Sequence, residues 1–179
     1  MTARRAGRVY PALHARDSVD PMGPAPHEDI SPVAFLLGTW RGEGKGEYPT
    51  IQPFAYGEEV RFWHVGKPFL AYTQRTWALD DERPLHSEMG YWRPQPNGAI
   101  EVILAHPFGI AEIEIGAVTG QRIELMTYSI EGSPTAKEVS RVERSFHVVG
   151  DALTYDLRMA AVDQPITHHL HADLRKVDE

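Results

Sequence analysis

Three histidines stand close together near the end of the chain, in Thr167-His168-His169-Leu170-His171. Neutral imidazole nitrogens ligate zinc, copper and haem iron, so this run is the first place to look for metal chemistry. On a strand His169 and His171 share a face and could grip one ion together. A stable zinc site needs a third or fourth ligand, which His64, His86 or His106 could supply. Strict alternation groups His168 with Leu170, Ala172 and Leu174, and groups His169 with His171 and Asp173. If the apolar set faces inward, His168 points at the interior. If that set packs outward against a second subunit, or if Pro165 and a bulge shift the phase, His169 does. Periodicity alone does not choose between these neighbours.

The remaining residues offer less. His86 sits between Leu85 and Ser87 at the head of an aromatic segment running to Tyr91 and Trp92. His64, His106 and His147 stand singly. Glu58 and Glu59 point to opposite strand faces, so they make no acid/base pair. No Gly-x-Ser-x-Gly elbow, metalloprotease helix motif or triad pattern occurs. Cysteine is absent, which removes thiolate nucleophiles, thiolate ligands and disulfides, and suits a cytoplasmic protein. Gly42 and Gly44 clear one strand face for close approach, but no helix follows them, so a dinucleotide site fails its context. Tyr48-Pro49-Thr50-Ile51 reads as a turn carrying one small hydroxyl.

The elements that would position these groups are strands. From Thr39 onward the hydrophobic period is two. Leu153, Tyr155, Leu157 and Met159 alternate with Thr154, Asp156 and Arg158; Ala111, Ile113, Ile115 and Ala117 alternate with Glu112, Glu114 and Gly116. Turn signals such as Pro96-Asn97-Gly98, Thr119-Gly120 and Gly150-Asp151 separate the runs. About ten short strands without a second helix predict an all-β, antiparallel up-and-down barrel, wide enough to hold a ligand. Ser31-Pro32 predicts the start of one short helix through Val33 to Leu37, stopping at Gly38 and plugging one end. Trp40, next to Gly38, reads as a core plug. Residues 1–28 hold four prolines and few bulky apolar groups, and are expected to be a flexible tail before a domain at 29–179.

The 179 residues suit one domain, and 42% hydrophobic with 24% charged is an ordinary globular balance. A formal net charge of −7 without a basic stripe argues against nucleic acid. No apolar run approaches the roughly 20 residues of a membrane span.

Taken together, the motifs resemble the nitrobindin family. Gly38-Thr39-Trp40-Arg41-Gly42-Glu43-Gly44 matches the family's Gly-x-Trp-x-Gly-x-Gly pattern. Tyr48-Pro49-Thr50-Ile51, His64 to Pro68, Leu85-His86-Ser87-Glu88 with Gly90-Tyr91, Ala136-Lys137-Glu138, Arg158-Met159 and Gln164 to Leu170 follow in order. The resemblance spans roughly residues 30–178. It implies a ten-stranded barrel that binds one haem b per subunit, binds nitric oxide, and isomerises peroxynitrite to nitrate at ferric iron. It implies His169 as the axial iron ligand and as the catalytic position acting through that iron. Thr50, Leu85, His86, Ala136 and Met159 are then pocket positions beside the haem, with Leu85 and Met159 forming an apolar wall poor in hydrogen-bond donors. Its partners are small molecules, peroxynitrite and nitric oxide, with no nucleic acid or membrane; an outward apolar face on the last strand would suit a homodimer. Three other readings stand beside it: a haem-free, lipocalin-like carrier of small hydrophobic ligands, a zinc site on His169 and His171, and nitric oxide storage or sensing without turnover.

Overall fold

A computed structural model describes residues 24–178; most of the expected tail, residues 1–23, lies outside the described residues. Ten antiparallel strands close into one barrel in the order β1-β10-β9-β8-β7-β6-β5-β4-β3-β2. They are β1 (Gly38–Tyr48), β2 (Ile51–Trp63), β3 (Leu70–Ala78), β4 (Pro84–Pro94), β5 (Ala99–His106), β6 (Ile110–Thr119), β7 (Arg122–Gly132), β8 (Val139–Val149), β9 (Ala152–Ala161) and β10 (Thr167–Val177). Every strand pairs with its chain neighbour, and β1 with β10 completes the closure, so the described sheet has no terminal strand. The expected ten-stranded barrel is the one observed.

One end of the barrel is plugged by a 3-10 helix, Glu28–Leu36. Its start differs from the sequence expectation. The His27 side chain caps Asp29 N–H at 3.2 Å, and Ile30 N–H reaches the His27 carbonyl at 3.2 Å. The first turn therefore forms ahead of Ser31-Pro32, and Pro32 lies inside the helix. Ile30, Val33 and Leu36 recur every third residue, which stacks them on one face of a three-residue turn, and all three are buried. Trp40 is fully buried and its indole N–H donates to the Leu36 carbonyl at 2.7 Å, tying the helix end to β1. The interior-facing glycines of β1 have a steric cause: a Cβ at Gly42 would strike the Asp173 carbonyl, and one at Gly44 would strike the Tyr56 ring.

Above the helix, Phe62, Trp92, Phe146 and their neighbours fill the interior with edge-on and tilted rings. Alternation then inverts on β6. Glu112 and Glu114 are buried at 2% and 0% exposure, whereas Ile113 and Ile115 are 38% and 41% exposed on the outer face. The inward carboxylates meet the buried Arg144 of β8, which supplies the counter-charge that makes this phase tolerable. Glu58, Gln74, Glu88 and Arg144 form a polar layer across the middle of the barrel. Among the described residues a charged layer thus overlies an aromatic one.

Candidate functional site

The strand order places the β1–β2, β3–β4, β5–β6, β7–β8 and β9–β10 connections at the end opposite the helix. Thr50, Leu85, His86, Ala136, Met159 and His169 belong to these connections or to the strand ends beside them, whereas Gly38, Trp40 and His64 lie at the helix end. The histidine run opens β10, and the pairing slips there: His168 pairs with Arg158, but Leu170 pairs with Leu157. His169 is the extra residue of a β-bulge, a device that re-aims a side chain. Leu170, Ala172 and Leu174 pack into the core. The outward apolar face that suggested a second subunit on this strand is thus absent.

The bulge sorts the three histidines. His168 and His171 share the outer face, where both meet the Asp156 carboxylate, at 3.4 Å and 2.9 Å. His171 also meets Asp173 at 3.3 Å. Hydrogen bonding and charge from Asp156 hold the His171 pKa above the usual histidine value. His169 turns away from both. Its Nδ1 lies 2.9 Å from the Glu47 carbonyl, so Nδ1 carries the proton and donates it there. Its ring stands edge-on to Tyr48, with centroids 5.3 Å apart. The Tyr48 hydroxyl accepts from Ala161 N–H at 2.9 Å and reaches the Ala161 carbonyl at 3.2 Å, which fixes the aromatic wall that His169 leans on. Burial lowers the His169 pKa below the usual histidine value and so favours the neutral ring, against the opposing hydrogen bond to the Glu47 carbonyl. His169 and His171 therefore do not share a face, and the zinc chelate expected from strict alternation is not formed.

The other expected residues surround this end. Thr50 is exposed in the β1–β2 turn. Leu85, 39% exposed, and the half-buried His86 open β4. His86 N–H donates to Thr76 Oγ1 at 3.0 Å, and its ring packs against Phe108 with centroids 5.0 Å apart. Ala136 sits in the β7–β8 connection, its N–H on the Ser133 carbonyl at 2.9 Å. Met159, half-buried near the end of β9, packs against the core. Ile51, Leu79, Leu85, Phe108 and Val162, each at least 39% exposed, add an apolar rim from four of the connections.

The buried charges beneath were missed from the sequence. Arg144 donates to Glu88 Oε1 at 2.9 Å and to Glu112 Oε2 at 3.1 Å. Tyr72 also donates to Glu88 Oε1, at 2.8 Å. Against the cost of burial, Arg144 and the neighbouring His86 and His106 hold the Glu88 carboxyl far below its usual range. Burial has the opposite outcome at Glu58, raised to about 7, and at Glu114, raised to about 8. Glu58 accepts from Tyr155 at 2.9 Å and from Gln74. The ordinary glutamate value is 4.5, so both raised groups hold a proton in the folded chain that the unfolded chain has lost. Their stabilisation is complete below that value and disappears as pH rises through 7 and 8. Melting temperature should accordingly fall from about pH 5 to about pH 8, and Glu58→Gln, which cannot ionise, should flatten that slope. An equal slope in both proteins, measured by thermal melts across this range, would contradict the assignment to Glu58.

Comparison with known proteins gives this geometry a context. The profile of the "THAP4-like, heme-binding beta-barrel domain" family matches residues 29–176. A protein of Mycobacterium marinum named "Peroxynitrite isomerase 2" is 54% identical over 154 residues, covering 84% of this chain and 96% of the relative. A "Peroxynitrite isomerase 2" of Mycobacterium avium is 57% identical over 155 residues with the same coverage. The crystal structure of Rv2717c from M. tuberculosis superposes with a TM-score of 0.81 at 50% identity, over 86% of this chain and 100% of that one. The profile match over residues 29–176 and relatives more than half identical show that the chain belongs to the THAP4-like, heme-binding β-barrel family, the nitrobindins.

Proposed function

We propose that this chain isomerises peroxynitrite to nitrate with one haem b held by His169, and that the same iron binds nitric oxide. The observation that carries the proposal is the state of His169. It is a neutral imidazole with Nδ1–H committed to the Glu47 carbonyl and with Nε2 lacking a partner among the described residues. An axial ligand to haem iron needs this tautomer, and a partner on the far nitrogen raises its basicity. The apolar rim of Ile51, Leu85, Phe108 and Val162 suits a flat hydrophobic macrocycle with an exposed edge. The relatives named peroxynitrite isomerase, more than half identical over most of the chain, support the reaction.

In this reading ferric haem supplies a Lewis acid that polarises the O–O bond of peroxynitrite. The chain does the rest by position. His169 Nε2 would hold the iron. Glu47 and Tyr48 fix the ring, and Leu85 and Met159 exclude water from the reacting side. The His86 ring is turned toward the buried Glu88, 3.5 Å away. The rearrangement neither gains nor loses a proton, so no general base is required.

Stopped-flow decay of peroxynitrite tests the proposal. With the hemin-loaded chain the decay rate should rise linearly with protein concentration and nitrate yield should rise with it. Decay at the rate of buffer alone, despite a full haem band, would leave nitric oxide binding without turnover as the function.

A further inference from the structure

His86, Glu88 and His106 bring three donor atoms within 4.8 Å of one another below the histidine end. Glu88 Oε2 lies 3.5 Å from His86 Nε2 and 3.4 Å from His106 Nδ1. These separations are too long for good hydrogen bonds. They match the edge of a coordination tetrahedron, since metal–nitrogen bonds of about 2.0–2.1 Å put neighbouring donors about 3.4 Å apart. The histidine from β5 is the informative one. Its side chain is only 7% exposed, yet neither ring nitrogen has a hydrogen-bond partner. An imidazole buried with both nitrogens unsatisfied calls for a ligand.

The surroundings are built in the same sense. Arg144 and Tyr72 both take Glu88 Oε1, at 2.9 Å and 2.8 Å, which leaves Oε2 turned to the two histidines. Behind His106, Nε2 faces Glu112 Oε2 at 3.4 Å, the carboxylate–histidine arrangement that orients metal-bound imidazoles. Glu88 and Glu112 share the one buried guanidinium of Arg144, so a cation is electrostatically welcome beside them. A cavity of about 390 Å³ bordered by Gln74, Glu88, His106 and Pro107 gives access from the barrel wall.

We propose that His86, Glu88 and His106 bind a divalent transition-metal ion, zinc or ferrous iron by donor type, at a site separate from His169. Three protein donors leave at least one position for water or a small anion. Glu112 orients His106 and Arg144 orients Glu88, without touching the ion. The site shares His86 with the proposed haem pocket but not the axial position His169, so zinc and haem are read out separately.

Equilibrium dialysis against Zn²⁺, run on the hemin-treated full chain after chelator washing, tests the site; absorbance of the same samples reports haem separately. One tightly held zinc per chain is expected. Both His106→Gln and Glu88→Gln should weaken it by more than the roughly 10–100-fold typical of losing an outer-shell partner. The double variant His168→Gln with His171→Gln, on the outer face, should bind as the wild type does. His106→Gln that keeps its melting temperature and its zinc would overturn the proposal. So would zinc lost only in the outer-face variant, or no saturable zinc in the wild type.

Discussion

His169→Ala should lose stoichiometric haem binding, whereas His168→Ala and His171→Ala should retain it. The contrast follows from the bulge. His169 alone turns its ring from the outer face to the Glu47 carbonyl and the edge of Tyr48. His168 and His171 are anchored outside on Asp156. An outer-shell partner of a metal-bound histidine is worth about 10–100-fold in affinity, so loss of the ligand itself should exceed about 100-fold. A hemin titration followed by visible absorbance gives the answer in one experiment. An unchanged haem band in His169→Ala, or a lost one in His168→Ala, would move the ligand to the neighbouring position and with it the whole site.

This point shows where sequence reasoning reached its limit. The barrel was legible because period-two runs and turn residues such as Asn97, Gly120 and Gly150 punctuate it; Asn97 and both glycines adopt positive φ at strand ends. The proposed haem-side positions were legible only as a family pattern. Alternation cannot represent a bulge, which inserts one residue and flips the phase behind it, so His168 and His169 exchanged faces between the pattern and the fold. The buried charges escaped for a related reason. On β6 the pattern Ala-Glu-Ile-Glu-Ile reads as apolar inside and acidic outside, yet the carboxylates lie inside. The cause is Arg144, about thirty residues away in sequence and directly across the interior in space. β8 carries both Arg141 and Arg144, and nothing local marks the second as the buried one. His106 was legible only as a single histidine or a spare ligand to the histidine run of β10, for the same want of context.

Arg144→Met should destabilise the fold more than any surface change, by about 3–5 kcal/mol, because it strands ionised carboxylates in a dry interior. Arg144 is 4% exposed and contacts Glu88 at 2.9 Å, Glu112 at 3.1 Å and Glu114 at 3.3 Å. Glu114 can respond by keeping its proton, since burial already raises it to about 8. Glu88 cannot do so without cost, because the folded state holds it far below its usual value, chiefly through Arg144. With a typical domain stability of about 5–15 kcal/mol, the loss consumes a large fraction of the total. Chemical denaturation of wild type and variant measures it, and a midpoint shift worth less than about 1 kcal/mol would show that water or protonation relieves the network. The double variant Arg144→Met with Glu88→Gln separates the two outcomes. If the penalty is the stranded Glu88 charge, the double variant should recover part of the loss. Arg144→Lys should recover little, because a point charge cannot reach Glu88 and Glu112 with the separate arms of a guanidinium. Buried ion networks are often no better for stability than apolar packing of the same volume. Their presence in the middle of this barrel is therefore better explained by what they hold in place, which is Glu88 Oε2 facing His86 and His106.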